Sequence, residues 1–249
     1  MAFVVIIPAR WASTRLPGKM LADLAGKPLI VRTAERASQS SAAEVIVATD
    51  HESIAQAVTA NGYQSVMTDV DLPSGTDRLA QAAHLLGLDA GTLVVNVQGD
   101  EPLIEPSLID ELAACLKANP TVAMATAATP IKTPQQFENP NVVKVVRDQA
   151  GRALYFSRAP IPHERQAVND GAAMHTPQAL HHIGIYAYRV SFLHTFPGLT
   201  QGLLEQIEML EQLRVLEHGL KIQVLVTETA HAAGVDTEQD LEAARLAFG

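Results

Sequence analysis

The sequence predicts an α/β fold: a doubly wound, mostly parallel sheet carrying an antiparallel extension. Three observations lead there. Residues 3–7 (FVVII) form an unbroken β-branched and aromatic run, the pattern of a strand buried on both faces of a parallel sheet. Strand-like and helix-like segments then alternate through the first half of the chain. From about residue 130, strand-like segments follow one another without long helices between them.

Taken in order, Pro8 closes the first strand, so the next loop lies at a strand's carboxyl end. Helical periodicity covers about 28–37, a strand follows at 44–48 and a short helix at 53–60. Further strands are expected at 65–67, 92–97 and 122–126, separated by helices at about 76–86 and 107–118. Segments 142–146, 153–156 and 182–188 read as the antiparallel extension. Between them, 159–179 is rich in Pro, Gly, Asn, His and Gln and reads as a long irregular loop. Apolar residues at 203, 204, 207, 210, 213 and 216 predict a single amphipathic helix over 203–218, ended by Gly219. A strand at 222–226 and a helix from about 237 complete the pattern. A length of 249 residues suits one folding unit, 1–249, with the antiparallel region inserted at about 130–200.

Composition narrows the function classes. The 47% hydrophobic and 18% charged residues, with 15 Gly and 14 Pro, disfavour disorder, collagen-like repeats and a disulfide scaffold. The one cysteine, Cys115, cannot close an internal disulfide, and no CxxC or HExxH spacing offers a zinc site. The apolar stretch 2–9 is stopped by Arg10 and has no basic segment ahead of it. Neither signal peptide nor membrane span is expected, and the expected location is the cytoplasm. Eighteen basic residues against 27 acidic ones give a net charge of −9, which argues against general binding to nucleic acid or anionic membrane. Yet residues 1–22 contain Arg10, Arg15 and Lys19 and no acid, so a small polyanion is the expected partner.

Those cations lie in PARWASTRLPGK, residues 8–19, at the carboxyl end of the first strand. Beside Pro8, the small residues Ala9, Ala12 and Ser13 allow close backbone approach to a ligand, and loop N–H groups with Arg10, Arg15 and Lys19 can receive phosphate oxygens. The spelling is neither GxGxxG nor GxxxxGK[ST], which disfavours dinucleotide binding and P-loop hydrolysis. Asp100 or Glu101, after the strand near 92–97, could ligate a hard cation, or both could be turn residues before Pro102. Asp236 precedes a capping-box spelling at 237–240, and from the residues alone it reads as helix-start chemistry. Ser74, Gly75, Thr76 and Arg78 read as a turn and a helix cap.

PARWASTRLPGK resembles the signature of the sugar nucleotidyltransferases, and more narrowly that of the 3-deoxy-manno-octulosonate (Kdo) cytidylyltransferases. The resemblance spans nearly the whole chain: VATDH (47–51), SGTDR (74–78), NVQGDEP (96–102), NPNVVKVV (139–146), ALYFSRAPIP (153–162), HIGIYAYR (182–189), IEMLEQLRVL (207–216) and GVDT (234–237). Trp11 and Met20 depart from the expected Tyr and Pro. The resemblance implies a nucleotide-diphospho-sugar transferase-like fold, transfer of CMP from CTP to Kdo, release of pyrophosphate, and a place in lipopolysaccharide synthesis. It implies Mg²⁺ held by Asp100 and Asp236, and Arg10, Arg15 and Lys19 on the triphosphate. Pro8, Ala9, Ser74, Gly75, Thr76, Arg78 and Gln98 would complete the nucleotide site. Arg158, His182, Tyr186, Glu211 and Gln212, with Gln98, would hold the sugar. Each has an ordinary alternative: a strand histidine, a core aromatic, a surface ion pair, a solvated helix face. His182 and Tyr186, four apart in a strand, share a face, and His181 points away from it. The resemblance also implies a homodimer. Alternatives are a cytidylyltransferase for a related acid sugar (8-amino-Kdo or sialic acid) and an inert nucleotide-binding regulator.

Overall fold

The computed structural model describes residues 2–13, 16–165, 179–228 and 234–248. In chain order its strands are β1 (Phe3–Ala9), β2 (Asp23–Leu24), β3 (Lys27–Pro28), β4 (Glu44–Thr49), β5 (Gln64–Met67), β6 (Leu93–Asn96), β7 (Met124–Pro130), β8 (Lys144–Arg147), β9 (Ala153–Ser157), β10 (Leu180–Arg189) and β11 (Ile222–Val226). Its helices are α1 (Leu29–Ala37), α2 (Glu52–Ala60), α3 (Gly75–Leu85), α4 (Pro106–Ala118), α5 (Pro134–Glu138), α6 (Val190–Thr195), α7 (Leu203–Glu208), α8 (Gln212–Glu217) and α9 (Glu238–Phe248). The main sheet runs β5-β4-β1-β6-β10-β7-β11, parallel except for β10, which is antiparallel to both of its neighbours.

The apolar run of β1 is explained by burial on both faces. Val5 and Ile7 pack with Ile30 and Ala34 of α1, Ile54 of α2 and Leu112 of α4, whereas Val4 and Ile6 pack with Leu79 and Ala83 of α3 and Leu213 of α8. Alternate side chains of one strand therefore feed two cores, which is why no polar residue interrupts it. α4 buries Leu108, Ile109, Leu112, Ala113 and Leu116, a stripe at helical spacing. No helix among the described residues is long and apolar enough to cross a membrane.

Three expectations change. β1 continues through Pro8, which sits opposite Ala48 near the strand's end, where a missing N–H costs least. The segment around 182–188 is not peripheral: as β10 it is inserted between β6 and β7, and only β8 and β9 form an outlying antiparallel ladder on its end. The missing helix in the sequence signalled antiparallel pairing but could not say with which strands. The single helix over 203–218 is two helices, broken at Met209, whose φ of 52° is left-handed. Gly219, at φ 72°, terminates α8 as expected. Residues 166–178 of the expected long loop lie outside the described residues.

Polar pairing explains the break. The Glu217 carboxylate accepts the N–H groups of Leu204 and Glu205 at 2.9 and 3.0 Å, capping α7 from the end of α8. Buried Glu205 receives Nε and Nη2 of Arg214 at 2.7 and 2.6 Å, and the guanidinium lies over the Phe196 ring. Apolar periodicity is blind to such pairs. Removing one partner leaves the other charge buried, so Glu205→Ala should lower unfolding stability by about 3 kcal/mol. The apolar double replacement Glu205→Leu with Arg214→Met should recover most of the loss in urea denaturation; equal losses in the two proteins would refute the pairing argument.

Candidate active site

The chain leaves β1 toward β4 on one side of the sheet, while β6 lies on the other, so the loops after β1 and β6 diverge from adjacent strand ends. Such a switch point opens a crevice. Here it is a cleft of about 370 Å³. Pro8, Ala9, Arg10 and Lys19 line it from the first loop, Ser74, Gly75 and Arg78 from the start of α3, Gln98 and Asp100 from the loop after β6, and Asp236 from the segment before α9. Arg15 lies outside the described residues.

Gly18, at φ 68°, turns the chain into a single 3₁₀ turn over Lys19–Leu21, and the Lys19 side chain is carried inward. Its ammonium donates to Asp100 Oδ2 at 2.7 Å and to Asp236 Oδ1 at 3.0 Å. Asp100 is fixed by its neighbours. The Gly99 carbonyl accepts Thr33 Oγ1 at 2.9 Å, and a side chain at Gly99 would start 3.0 Å from the Pro8 oxygen and 3.1 Å from the Met20 sulfur, so any larger residue would have to push the cradle loop aside. Val235 N–H donates to the Asp100 carbonyl at 2.8 Å, bringing Asp236 alongside. The helix-start reading of Asp236 gives way: Thr237 Oγ1 accepts Asp240 N–H at 3.2 Å, and Asp240 Oδ2 accepts Thr237 N–H at 2.8 Å. Those two residues close the capping box, leaving the Asp236 carboxylate to face Lys19. Glu101 lies in the interior instead of lining the cleft. Burial, with the Asp100 charge beside it, pushes its carboxyl up to about 8.

At the start of α3, Ser74 Oγ accepts Asp77 N–H at 3.1 Å and donates to the Asp77 carboxylate at 2.6 Å. Arg78 reaches the cleft from the helix's first turn, where its Nη2 donates to Asp50 Oδ2 at 2.9 Å and its Nη1 to Thr68 Oγ1. Asp50 Oδ1 accepts Trp11 N–H at 2.8 Å, and the Trp11 ring stacks on His51 at 3.9 Å. Sequence reasoning assigned no role to Asp50, although its place just after β4 in VATDH puts it at the same sheet edge as Asp100.

The other expected residues sit elsewhere. Thr76 is buried and turned from the cleft, bonded to Glu211 and lying 3.3 Å from Tyr188 Oη. Tyr186 Oη donates to Gln212 Oε1 at 3.3 Å, while burial raises the Glu211 carboxyl and the Tyr186 phenol. This cluster lies outside the 370 Å³ cleft. Arg158 lines neither the cleft nor that cluster; it donates to the carbonyls of Glu208, Pro140 and Met209. His182 and Tyr186 share a face, with rings 5.5 Å apart, even though the register of β10 against β7 shifts between residues 183 and 186. Two extra residues on β10 preserve side-chain alternation.

His182 Nε2 lies 2.9 Å from Thr126 Oγ1, whose hydroxyl lies 2.8 Å from the Ile185 carbonyl. Burial pushes the imidazole down to about 3. A folded value below the ordinary 6.5 means that the unfolded chain gains the proton first, so stability present above pH 6.5 drains away as pH falls toward 3. His182→Gln should therefore flatten that decline, by at most about 1.4 kcal/mol per pH unit. Parallel denaturation curves for the parent and the variant between pH 4 and 6.5 would refute a buried neutral imidazole.

Among the described residues no three His, Cys, Asp or Glu side chains gather as a metal cage. Asp100 and Asp236 instead offer two hard carboxylate oxygens at the cleft, a donor set that fits Mg²⁺ when ligand phosphates and waters complete its shell.

Residues 4–222 match the family model described as cytidylyltransferase. A solved structure of CMP:2-keto-3-deoxy-manno-octonic acid synthetase complexed with CTP is 41% identical and superposes with a TM-score of 0.90, over 100% of this chain and 98% of that one. A cytidylyltransferase from Leptospira borgpetersenii serovar Hardjo-bovis (strain JB197), 18% identical, has a TM-score of 0.63 over 98% and 86% of the two chains and shares the fold. With the family's pattern running from β1 to the start of β11 and the cleft at the switch point, the chain belongs to the cytidylyltransferases.

Proposed function

We propose that the protein transfers CMP from CTP to the anomeric hydroxyl of Kdo, giving CMP-Kdo and pyrophosphate in the cytoplasm, on the route to lipopolysaccharide. The observation that carries this reading is the Lys19–Asp100–Asp236 cluster in a cleft flanked by Arg10 and Arg78. The full-length likeness to a Kdo-activating synthetase bound to CTP supports the substrates.

In this reading Arg10, Arg15 and Lys19 steady the triphosphate. An ammonium has three N–H donors, and among the described residues Lys19 gives two to carboxylates, so a third can serve a phosphate oxygen. Ser74, Gly75 and Arg78, with Thr76 buttressing them from behind, shape the wall against which the base lies. The anomeric oxygen attacks the α-phosphorus in line, its proton passes to solvent, and the bond to the pyrophosphate oxygen breaks; positioning and charge neutralisation do most of the work. Asp100 and Asp236 would hold Mg²⁺, which supplies positive charge to the phosphates. Gln98, at the cleft, and the nearby Tyr186, Glu211 and Gln212 would receive the sugar, with His182 and Arg158 supporting that side. The groove beside Tyr186 and Gln212 has no room for a water molecule, so a sugar seated there would require the start of α8 to draw back.

A twofold homodimer belongs to the same proposal. Ser157 Oγ and Arg158 N–H donate to Glu208, which makes β9 and α7 neighbours, and Leu154, Leu203, Ile207 and Met209 stand exposed on them. Light scattering of an active sample at micromolar concentration should give twice the chain mass; a monomer mass would contradict the pairing.

The reaction is tested by incubating the protein with Mg²⁺, each of the four nucleoside triphosphates, and Kdo, 8-amino-Kdo or sialic acid, with products identified by mass. CTP with Kdo should be the best pair, because a slot that satisfies cytosine's amine leaves polar groups unpaired against uracil, at about 1–3 kcal/mol each. Equal turnover with ATP or GTP would overturn the cytidine assignment. In the same assay Asp100→Asn and Asp236→Asn should lose nearly all turnover, whereas Thr237→Val should cost about 1 kcal/mol of stability with Mg²⁺ dependence unchanged. Normal turnover by Asp236→Asn would remove it from the site.

A further inference from the structure

We infer that Asp50 is a positioning residue for the nucleotide, holding the cleft's Arg78 wall and the start of its cradle loop in one register. The inference rests on the cleft being the nucleotide site. The geometry is that of a two-sided anchor. One carboxylate oxygen accepts the backbone N–H of Trp11 at 2.8 Å, immediately after Arg10, and the other accepts Arg78 Nη2 at 2.9 Å. Both charged side chains are nearly inaccessible, at 6% for Asp50 and 5% for Arg78. Asp50 itself does not line the cleft, but Arg10 and Arg78 both do. It therefore acts through them.

Three elements meet at this carboxylate. The cradle loop follows β1, Asp50 follows β4, and Arg78 belongs to the first turn of α3. β1 and β4 are hydrogen-bonded neighbours, with Ala9 opposite Thr49, so Asp50 emerges one residue past the rung on which the loop departs. Thr68 Oγ1 and the Asp69 carbonyl hold Arg78's other nitrogen, which leaves Asp50 as the charged partner among its described contacts. Burial and the nearby Arg10 both lower the guanidinium's hold on its proton, and Asp50 opposes them. Without that charge, two arginines meant for one polyanion would repel each other across the cleft.

Asp50→Asn keeps the shape but turns an amide toward one of two donors, so Arg78 or the loop must come loose. The chain's one tryptophan, Trp11, sits on the same anchor, stacked on His51 with an interplanar angle of 13°, and its fluorescence reports the loop directly. The experiment compares parent, Asp50→Asn, Arg78→Gln and the double variant by calorimetric titration with CTP, by Trp11 emission, and by KM and kcat. Asp50→Asn should weaken CTP binding and raise its KM about tenfold or more, leave the KM for the acid sugar within about twofold, and shift Trp11 emission. The double variant should bind CTP no worse than Arg78→Gln alone, because with the guanidinium gone the amide of Asp50→Asn can keep its oxygen on the Trp11 N–H and only the shared Asp50–Arg78 contact is lost. Multiplying losses in the double variant, or equal rises in both KM values, would overturn the inference. Should Asp50→Asn not fold, Asp50→Glu, which displaces the charge by one methylene, carries the same comparison. CTP titration needs no turnover, so failure to make CMP-Kdo would overturn the sugar assignment and leave this test standing.

Discussion

The Lys19 ammonium between Asp100 and Asp236 is the contact on which the geometry of the cleft depends. It joins residues 81 and 217 positions away in sequence, so three remote segments share one nitrogen. The two carboxylate oxygens stand no more than about 6 Å apart. At an effective dielectric of 20 their mutual repulsion would be roughly 3 kcal/mol, and the buried cation between them turns that cost into attraction. The backbone repeats the connection independently, since Val235 donates to the Asp100 carbonyl. The last helix is thereby drawn onto the small β2–β3 hairpin and the start of α1, where Leu24 and Leu29 pack with Val235, Leu241 and Ala244. That apolar cluster and the charged cluster hold each other in register.

Sheet topology explains why these segments can meet. Strand order reverses between β1 and β6, and every loop that contributes to the cleft leaves the same edge. Placing β10 antiparallel between β6 and β7 moves the His182–Tyr188 face beside α3 and α8, so Thr76, Tyr186 and Glu211 gather behind the cleft wall instead of on it. One insertion thus separates two neighbouring polar environments, an open one rich in cations and a closed one rich in hydroxyls and amides.

Much of this was legible in the sequence, for a local reason. Buried parallel strands announce themselves by apolar runs such as 3–7, and a loop dense in Arg and Lys yet free of acids stands out in an acidic chain. What escaped was non-local. The 203–218 periodicity suited one helix, and only the pairing of Glu205 with Arg214 and the capping by Glu217 fold it back at Met209. Only the resemblance places Asp236 at the site, because from the residues alone the capping pair Thr237 and Asp240 follow at once; that its carboxylate faces Lys19 beside Asp100 is a contact between segments far apart in sequence. Asp50 carried no spacing signal, since its partners Trp11 and Arg78 lie 39 and 28 residues away.

An acidic protein suited to a polyanion needs its cations placed, not merely present. At this cleft Lys19 is balanced by Asp100 and Asp236, and Arg78 by Asp50. Balanced cations can be buried and held rigidly, which unpaired ones cannot. Rigid donors spend little entropy when an anion arrives, so recognition comes from N–H groups already aimed, and the net charge of −9 far from the site matters little beyond a screening length of about 8 Å. The acids of the cleft thus do for Lys19 and Arg78 what bulk charge cannot: they fix where each cation stands, which in the proposed reading is where phosphate oxygens would meet them.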